Sequence, residues 1–358
     1  MHTLEYPNSV TDMYQRLHDR LAGVVPEFEL RAKAEIAVEV NRLKHEKNAV
    51  ILGHNYMEPA LFHSVPDFTG DSLYLARVSA EAEAQVIVFC GVRFMAETAK
   101  ILNPARTVLL PSAKGGCSLA ESLTGEDVRD LKRRFPGVPV VTYVNTYADV
   151  KAESDYCCTS GNAQAVVRAL QDQGHETILF LPDEYLAGNI ARDTGMKFVV
   201  PGRGAAGVAR GSDPGNLKRV MLGWDGRCEV HEKFTVEDVE NVRKQFPDVV
   251  VLAHPECSPE VVEASDFSGS TTGMIRHVEN MKSGRYLLLT ECSMGDNIAA
   301  RNPDREMLRL CSVRCPHMNE ITLEDTLEAL RQGRYEVEVP PEVAAKARRA
   351  LDRMISIG

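Results

Sequence analysis

The 358-residue sequence lacks the features that would mark a membrane, secreted or nucleic-acid-binding protein. No apolar run approaches the roughly 20 residues that a membrane-spanning helix needs. The first residues show no charged segment followed by an apolar one, so we expect no secretory signal. No basic block occurs and the formal net charge is −10, so non-specific binding of nucleic acid is not expected, whereas a small anionic substrate stays possible. These absences predict a cytoplasmic protein without membrane or nucleic-acid partners.

The sequence also lacks the cysteine pattern of a disulfide-stabilised protein. It has nine cysteines, and an odd number in a large, reduced chain argues against a disulfide framework. Hydrophobic residues make up 44% and charged residues 26% of the chain, which is the balance of a soluble globular protein. Because one hydrophobic core does not usually serve a chain of this length, we expect two or three domains.

What the sequence does contain is a repeated alternation of short apolar runs and amphipathic segments. Strands that alternate with helices indicate parallel sheets with helices on both faces. The pattern starts three times, which predicts an α/β fold of three pseudo-repeated, three-layer α/β/α domains with small parallel sheets around a central active site. The expected divisions are an N-terminal arm, 1–30, and domains 31–123, 124–234 and 235–358, the last with C-terminal helices.

Three sets of residues recur at matching places in the three repeats. Each set has a residue at a strand end, a serine and a cysteine: His54, Ser72 and Cys117; Tyr143, Ser160 and Cys228; His254, Ser270 and Cys315. The strand-end residue and the serine are 18, 17 and 16 residues apart, and the serine and the cysteine are 45, 68 and 45 apart. The longer middle spacing is attributed to a Gly/Ala/Pro-rich insertion at 201–216. Its G-x-G-x-x-G match at 202–207 is followed by more Gly and Pro, so we do not read it as a dinucleotide site.

The matched cysteines predict a metal centre, because ligands bind at the carboxyl ends of parallel strands. Three thiolates without a fourth indicate either zinc with an open position or a [4Fe–4S] cluster with one free iron. The residues alone do not decide between the two. Cys311, four residues before Cys315, is expected to be a core or redox residue. The unmatched cysteines are expected to be structural: Cys90, Cys157, Cys158, Cys257 and Cys292.

Polar residues around the predicted strand ends and helix starts complete the candidate site. Ser72, Ser160 and the Ser270–Thr271 pair lie beside glycines at predicted helix starts, where they either cap the helix or help it bind an anion. His254 and Glu256 are two residues apart at a strand end, so both can point into a cleft and transfer protons. The other candidates are His54, Tyr56, Tyr143, Asn145 and His231.

Nine short motifs, taken in order, resemble those of the quinolinate synthase family. They are HNY, GDSL, GGCSLA, YVN, TSGNA, GRCEVH, HPEC, SGSTTGM and CPHM, between residues 48 and 318. The resemblance implies three α/β domains around a [4Fe–4S] cluster held by Cys117, Cys228 and Cys315. It implies condensation of iminoaspartate with dihydroxyacetone phosphate to give quinolinate, phosphate and water in de novo NAD biosynthesis, with the open iron as Lewis acid.

The resemblance also implies a role for each candidate residue. The substrate-binding set would be His54, Ser72, Tyr143, Asn145, Ser160, His231, His254, Glu256, Ser270 and Thr271. The catalytic set would be Glu256, Tyr56, Tyr143, His254 and Asn145. A transient hand-over of iminoaspartate from L-aspartate oxidase is a further expectation. The residues leave one close alternative open, a zinc-dependent lyase or aldolase acting on a small phosphorylated substrate. An iron–sulfur electron carrier and a nucleotide-binding module are more distant alternatives.

Overall fold

The computed structural model confirms the predicted α/β class with three small parallel sheets flanked by helices. It describes residues 3–202, 218–281, 283–308, 310 and 313–357. Most of the predicted 201–216 insertion and Cys311 lie outside the described residues. No helix among those described is long and apolar enough to cross a membrane.

The thirteen strands fall into three sheets, and each sheet contains consecutive strands. The first sheet consists of β1 (Ala49–His54), β2 (Phe68–Gly70), β3 (Val86–Cys90) and β4 (Thr107–Leu109). The second consists of β5 (Val140–Tyr143), β6 (Tyr156–Cys158), β7 (Thr177–Leu181), β8 (Lys197–Val199) and β9 (Val220–Leu222). The third consists of β10 (Val250–Ala253), β11 (Phe267–Ser268), β12 (Arg285–Leu289) and β13 (Glu306–Leu308).

The strand order supports a repeated architecture. The first and third sheets have the orders β2-β1-β3-β4 and β11-β10-β12-β13, which are the same arrangement. The second sheet, β6-β5-β7-β9-β8, differs by one additional edge strand. This strand, β8, accounts for part of the longer spacing between serine and cysteine in the middle repeat.

The register of the strands places the serines equivalently. The last paired residues of the first two strands in each sheet are His54 with Gly70, Tyr143 with Cys158, and Ala253 with Ser268. In every sheet the serine of the matched set comes two residues after the second member of that pair. The three serines therefore occupy the same backbone position in three separate sheets.

Sixteen α-helices connect and cover the described strands. The first eight are α1 (Val10–Leu21), α2 (Glu27–Glu46), α3 (Pro59–Phe62), α4 (Ser72–Glu81), α5 (Arg93–Leu102), α6 (Ser118–Glu121), α7 (Gly125–Arg134) and α8 (Ala148–Glu153). The others are α9 (Ala163–Asp172), α10 (Glu184–Asp193), α11 (Val236–Gln245), α12 (Pro259–Ala264), α13 (Thr271–Asn280), α14 (Cys292–Arg301), α15 (Leu323–Gln332) and α16 (Pro341–Ser356). Helix α15 packs against α2, and α16 packs against α8 and β6.

The chain forms two compact units, which are described separately below. Unit 1 comprises Met1–Cys117, Phe246–Val251 and Thr271–Glu338. Unit 2 comprises Ser118–Gln245, Leu252–Ser270 and Val339–Gly358. The division into an arm and three domains at the boundaries predicted from sequence stays a prediction.

One apolar cluster of the core of unit 2 lies on one face of the second sheet. Fully buried residues of strands β5, β7 and β9 meet the apolar side of α7 there. Helix α7 starts with a capping box, in which Thr124 and Asp127 satisfy each other's backbone N–H groups. Its buried residues, Val128 and Leu131, are three apart and so lie on the same helix face. This packing fixes the strands whose ends carry the candidate residues.

Asn162 connects the C-terminal helix to one of the serine loops in unit 2. Its Nδ2 donates to the carbonyl oxygens of Met354, at 3.0 Å, and Ile357, at 2.7 Å. Its Oδ1 accepts from the backbone N–H of Thr159 at 2.7 Å. A single buried side chain therefore joins the end of α16 to the turn that carries Ser160.

We expect Asn162→Ala to lower the free energy of unfolding by about 1–3 kcal/mol, because buried backbone groups lose their partners. Urea unfolding measures this loss, and limited proteolysis should cut near the end of α16 faster in the variant. Asn280→Ala, at an exposed position, is the control and should change the stability by less than about 0.5 kcal/mol. Equal stability of the two variants would contradict the role given to Asn162.

Candidate active site

The candidate residues divide between the two compact units. Unit 1 contains His54, Tyr56, Ser72, Cys117, Thr271 and Cys315. Unit 2 contains Tyr143, Asn145, Ser160, Cys228, His231, His254, Glu256 and Ser270. His54 and Tyr143 end strands, and His254 directly follows one, as their spacing predicted.

In unit 2 the Glu256 carboxylate is the centre of a buried hydrogen-bond network. His231 Nδ1 lies 2.6 Å from Oε2, and Asn145 Nδ2 donates to Oε1 at 3.2 Å. The Tyr143 hydroxyl also donates to this carboxylate. Glu256 is only 2% exposed, so these partners replace the water that a carboxylate normally requires. The structure thus brings together four residues that the sequence predicted as a set.

The environment keeps the Glu256 carboxylate charged. Burial alone would raise its pKa, but His231, His254 and Tyr143 outweigh burial and hold the pKa at about 2. His254 Nδ1 lies 3.5 Å from Oε2, and its ring stacks on that of His231 with centroids 4.5 Å apart. The two imidazoles therefore face the same carboxylate from adjacent positions.

Asp183 is a second buried carboxyl in this part of unit 2, and the sequence reasoning gave it no role. It is fully buried at the start of α10, where Oδ1 accepts from the backbone N–H of Leu186 at 2.7 Å. Burial, together with the negative charge of Glu256, raises its pKa well above the usual range. The sequence signal was its place two residues after β7, which Glu291 shares two residues after β12.

Cys228 lies beside this network. Its Sγ is 3.2 Å from His231 Nδ1, and one ligand atom from each of Cys228, His231 and Glu256 lies within 4.8 Å of the others. Thiolate, imidazole and carboxylate are all ligands that transition metals accept. This corner of unit 2 could therefore hold a metal.

The turn before Cys228 requires glycine. A Cβ at Gly226 would lie 2.6 Å from Ser122 Oγ and 2.7 Å from the carbonyl oxygen of Pro182. The backbone of the turn is also bonded to α10, because Glu184 N donates to the carbonyl oxygen of Gly226 at 2.8 Å. Close packing of the turn thus sets where the Cys228 thiol stands.

Two of the serines, Ser72 and Ser160, are not the caps of the helices that follow them, which corrects the capping alternative for these two. Asp71 caps α4 by accepting from Tyr74 N, so Ser72 is already the first helical residue. Asn162 is the N-cap residue of α9, two residues after Ser160. Asp and Asn rank at least as high as Ser for this position, and here they occupy it. In unit 2, a Cβ at Gly161 would lie 3.5 Å from Ser270 Oγ, so the two serine loops of that unit are neighbours.

In unit 1 the end of β1 is held by residues from the third sheet's helices and loops. The Tyr56 hydroxyl lies 2.5 Å from Thr290 Oγ1. Asn55 Nδ2 donates to Thr271 Oγ1 at 2.9 Å, and Asn297 Nδ2 donates to the carbonyl oxygens of Asn55 and Met57. Thr290 and Asn297 were missed from sequence, because their partners lie more than 230 residues away in the chain.

Cys117 and Cys315 follow tightly held turns of unit 1. Arg93 N donates to the carbonyl oxygen of Gly115 at 2.7 Å, which fixes the turn before Cys117. The Cys315 backbone N–H donates to Glu291, and the Cys315 carbonyl oxygen accepts from Asn319 at 3.0 Å. Burial raises the pKa of Glu291 to about 7. Both cysteines thus have a fixed backbone.

The three matched cysteines fit a metal or iron–sulfur centre better than the other described cysteines do. All three are half-buried. The other described cysteines are buried: Cys90, Cys157, Cys158, Cys257 and Cys292. Burial raises the pKa of the Cys90 and Cys157 thiols to about 12, and a protonated thiol is a poor ligand. Whether the three matched thiols share one centre stays a prediction.

Comparison with known proteins identifies quinolinate synthases as relatives of this chain. The family model described as Quinolinate synthetase A protein matches residues 38–356. Quinolinate synthase 2 of Mesorhizobium japonicum is 50% identical over 341 residues, which cover 95% of this chain and 97% of that protein. Quinolinate synthase of Agrobacterium fabrum is 50% identical over 95% of this chain and 91% of its own length. Quinolinate synthase of Caulobacter vibrioides is 48% identical over 93% of this chain and 84% of its own length.

Gly226→Ala should lower the free energy of unfolding by about 1–3 kcal/mol, because the new methyl group overlaps backbone that cannot easily move. It should also speed the alkylation of Cys228, followed by peptide mass analysis, because the turn has to shift. Gly284→Ala is the matched control, since a Cβ there meets nothing within 4 Å. If Gly226→Ala is as stable as that control and Cys228 reacts at the same rate, the turn does not fix this thiol.

Proposed function

The chain belongs to the quinolinate synthase family, and from this we propose that it condenses iminoaspartate with dihydroxyacetone phosphate. The products are quinolinate, phosphate and two waters, and the reaction serves NAD biosynthesis. The observation that carries this proposal at the site is the charged, buried Glu256 with Tyr143, Asn145 and His231 around it, next to Cys228. A cytoplasmic location and a hand-over from L-aspartate oxidase stay predictions.

We propose that Cys117, Cys228 and Cys315 hold a [4Fe–4S] cluster. Their partial exposure, against the complete burial of the other described cysteines, supports this choice. When bound, a cluster iron without a protein ligand would supply a Lewis acid that stabilises the charge on a departing hydroxyl. The overall condensation balances without an external oxidant or reductant, so the reaction does not need the group to carry electrons away.

Both substrates are anions, and the helix starts are suited to them. The N-terminus of an α-helix presents free N–H groups and the positive end of the helix dipole. Thr271 is the first residue of α13, and its hydroxyl accepts from Asn55. We propose that Ser72, Ser160, Ser270 and Thr271 bind the phosphate and carboxylate groups, with His54 beside them.

Proton transfers are assigned to the strand-end residues. Glu256 fixes the Tyr143 hydroxyl and His231 Nδ1 by accepting from both, so each is held as a donor toward it. Tyr56 is oriented in the same way in unit 1, by Thr290 at 2.5 Å. We propose that Glu256 accepts protons during imine closure and dehydration, and that Tyr143, His254 and Tyr56 relay or donate them. Asn145 would keep Glu256 in place through its 3.2 Å hydrogen bond.

A zinc-dependent lyase or aldolase is the second candidate. The observation in its favour is the group of Cys228, His231 and Glu256, whose sulfur, nitrogen and oxygen atoms are normal zinc ligands. Metal analysis separates the two candidates, because anaerobically purified protein should contain iron and acid-labile sulfide if the first is correct. Zinc in stoichiometric amount, with no iron, would favour the second.

The direct test is to supply anaerobically purified protein with iminoaspartate and dihydroxyacetone phosphate. We expect quinolinate and an equal amount of inorganic phosphate. Omitting either substrate should abolish both products. An iron-loaded preparation that releases neither product would overturn the proposed reaction.

Cys228→Ala should lose the bound iron and sulfide, the brown colour and quinolinate formation together, because two remaining thiolates hold a cluster poorly. The comparison variant is Cys90→Ala, at a buried cysteine, which should retain its iron. An active, colourless Cys228→Ala protein would exclude this ligand assignment.

Glu256→Gln should keep the iron content of the parent protein and lower kcat by about 100-fold or more, the usual effect of losing a general acid or base. Gln preserves the size and the acceptor oxygen for Asn145, while removing the charge. Glu260→Gln, at an exposed position of α12, is the control and should retain full turnover. Near-normal kcat in Glu256→Gln would remove Glu256 from its proposed role.

A further inference from the structure

Three arginines in unit 1 converge around one buried histidine, away from the strand ends. Arg20 Nη1 lies 3.3 Å from His63 Nδ1, and Arg16 Nε donates to the His63 carbonyl oxygen at 3.3 Å. The Arg301 guanidinium stacks on Phe62, 4.7 Å from the ring centroid, and that ring meets the His63 ring edge-on at 5.1 Å. We call Arg16, Arg20, Arg301 and His63 the arginine cluster.

The contact with Arg20 fixes the tautomer of His63. A guanidinium can only donate, so Nδ1 must accept and the ring proton is on Nε2. The imidazole is 2% exposed, and Nε2 has no hydrogen-bond partner among the described residues. A buried N–H group without an acceptor is rare in folded proteins and costs stability. No acceptor from the described part of the chain therefore lies within reach of His63 Nε2.

The arginines also lack a negative partner. Within the described ranges, no carboxylate lies within 4.0 Å of the guanidinium of Arg16, Arg20 or Arg301. The acidic side chain whose charge acts on Arg301 is Glu279, and Asp67 acts on Tyr6, the ring on which Arg16 stacks. Asp67 is already engaged by Lys44 Nζ at 2.9 Å and by Ile51 N at 2.8 Å.

The three positive charges affect one another and the histidine. Burial and the charge of Arg20 lower the pKa of Arg16 and of Arg301. Burial and the three guanidiniums together lower the pKa of His63 to about 3, so the imidazole is neutral and remains an N–H donor. An anion would offset the positive charges around His63 and could accept from its Nε2–H, which has no partner among the described residues.

We propose that the arginine cluster is a binding site for a phosphate-class dianion. Guanidinium groups bind phosphate oxygens through paired, charge-assisted hydrogen bonds, and three of them match a doubly charged tetrahedral group. Arg20 and Arg301 are exposed, so the ligand can reach them from solvent. We expect the unpartnered His63 Nε2–H to supply a neutral donor. None of these residues belongs to the proposed substrate-binding set, and the site is independent of the proposed reaction.

The test measures the melting temperature of the full-length protein as inorganic phosphate replaces chloride at constant ionic strength. We expect a saturable rise for the wild-type protein. The apparent phosphate affinity should fall about tenfold or more in Arg20→Gln and in Arg301→Gln, because each loses a charge-assisted interaction. Arg192→Gln, at an exposed arginine that pairs with Asp193, is the control and should behave as wild type.

Two further measurements distinguish phosphate binding at the arginine cluster from binding at the proposed substrate site and from a general effect of charge on stability. Ser270→Ala should retain the phosphate-dependent rise, since Ser270 is in the substrate set and not in the arginine cluster. Without phosphate, Arg20→Gln should change the melting temperature little, because it loses like-charge repulsion together with the hydrogen bond to His63 Nδ1. If Arg20→Gln fails to fold, Arg20→Lys keeps the charge and should give an intermediate affinity.

A spectroscopic arm observes the histidine itself. With nitrogen-labelled histidine, the His63 Nε2 resonance should shift on addition of phosphate in the wild type and stay unchanged in Arg301→Gln. A phosphate-dependent rise that is equal in wild type and Arg20→Gln, or that vanishes in Ser270→Ala, would overturn the proposal. So would a His63 resonance that is indifferent to phosphate at saturating concentration.

Discussion

The candidate site in unit 2 depends on keeping one carboxylate charged out of contact with water. An ionised group without partners costs several kcal/mol when it is buried, so its surroundings must supply hydrogen bonds and opposite charge. Around Glu256 these come from an amide, a phenol and two imidazoles. The positions of Tyr143, Asn145 and His231 therefore follow from one electrostatic requirement, and not from three independent ones. The Cys228 thiol lies next to this network, because its Sγ is 3.2 Å from His231 Nδ1.

The three-fold repeat explains why polar side chains of the candidate site occur at equivalent positions after the first strand of each sheet. In each repeat the residue two positions after the matched residue His54, Tyr143 or His254 differs: it is Tyr56, Asn145 or Glu256. In the first and third repeats a turn positions this residue, because the carbonyl oxygens of His54 and His254 accept from the backbone N–H groups three residues later. The equivalent position therefore carries a phenol in the first repeat, an amide in the second and a carboxylate in the third. The last two meet directly in unit 2, where Asn145 donates to Glu256.

Sequence periodicity predicted the sheets because each strand and helix is encoded locally. The pair His254–Glu256 was predicted for the same reason, since its members are only two residues apart and directly follow β10. The predictions failed where two residues compete for one capping position, or where the contacting residues lie far apart in the chain. Serines at predicted helix starts were considered as caps, but Asp71 and Asn162 occupy those positions. The 2.5 Å contact of Tyr56 with Thr290 joins residues 234 apart, and a single sequence has no pattern that pairs them. The arginine cluster was missed likewise, because Arg301 and Arg20 come from opposite ends of the chain.

The contrast between two buried carboxyls shows how the fold limits charge at the site. Glu256 has side-chain donors on both oxygens and carries the negative charge. Asp183 receives only backbone N–H groups on one side, and its Oδ2 has no partner among the described residues. Since two close carboxylates cannot both ionise cheaply in a buried place, the carboxyl with the better donors has the lower pKa and the pKa of the other is raised. The fold thus favours the negative charge on Glu256, next to groups that are proposed to bind anionic substrates.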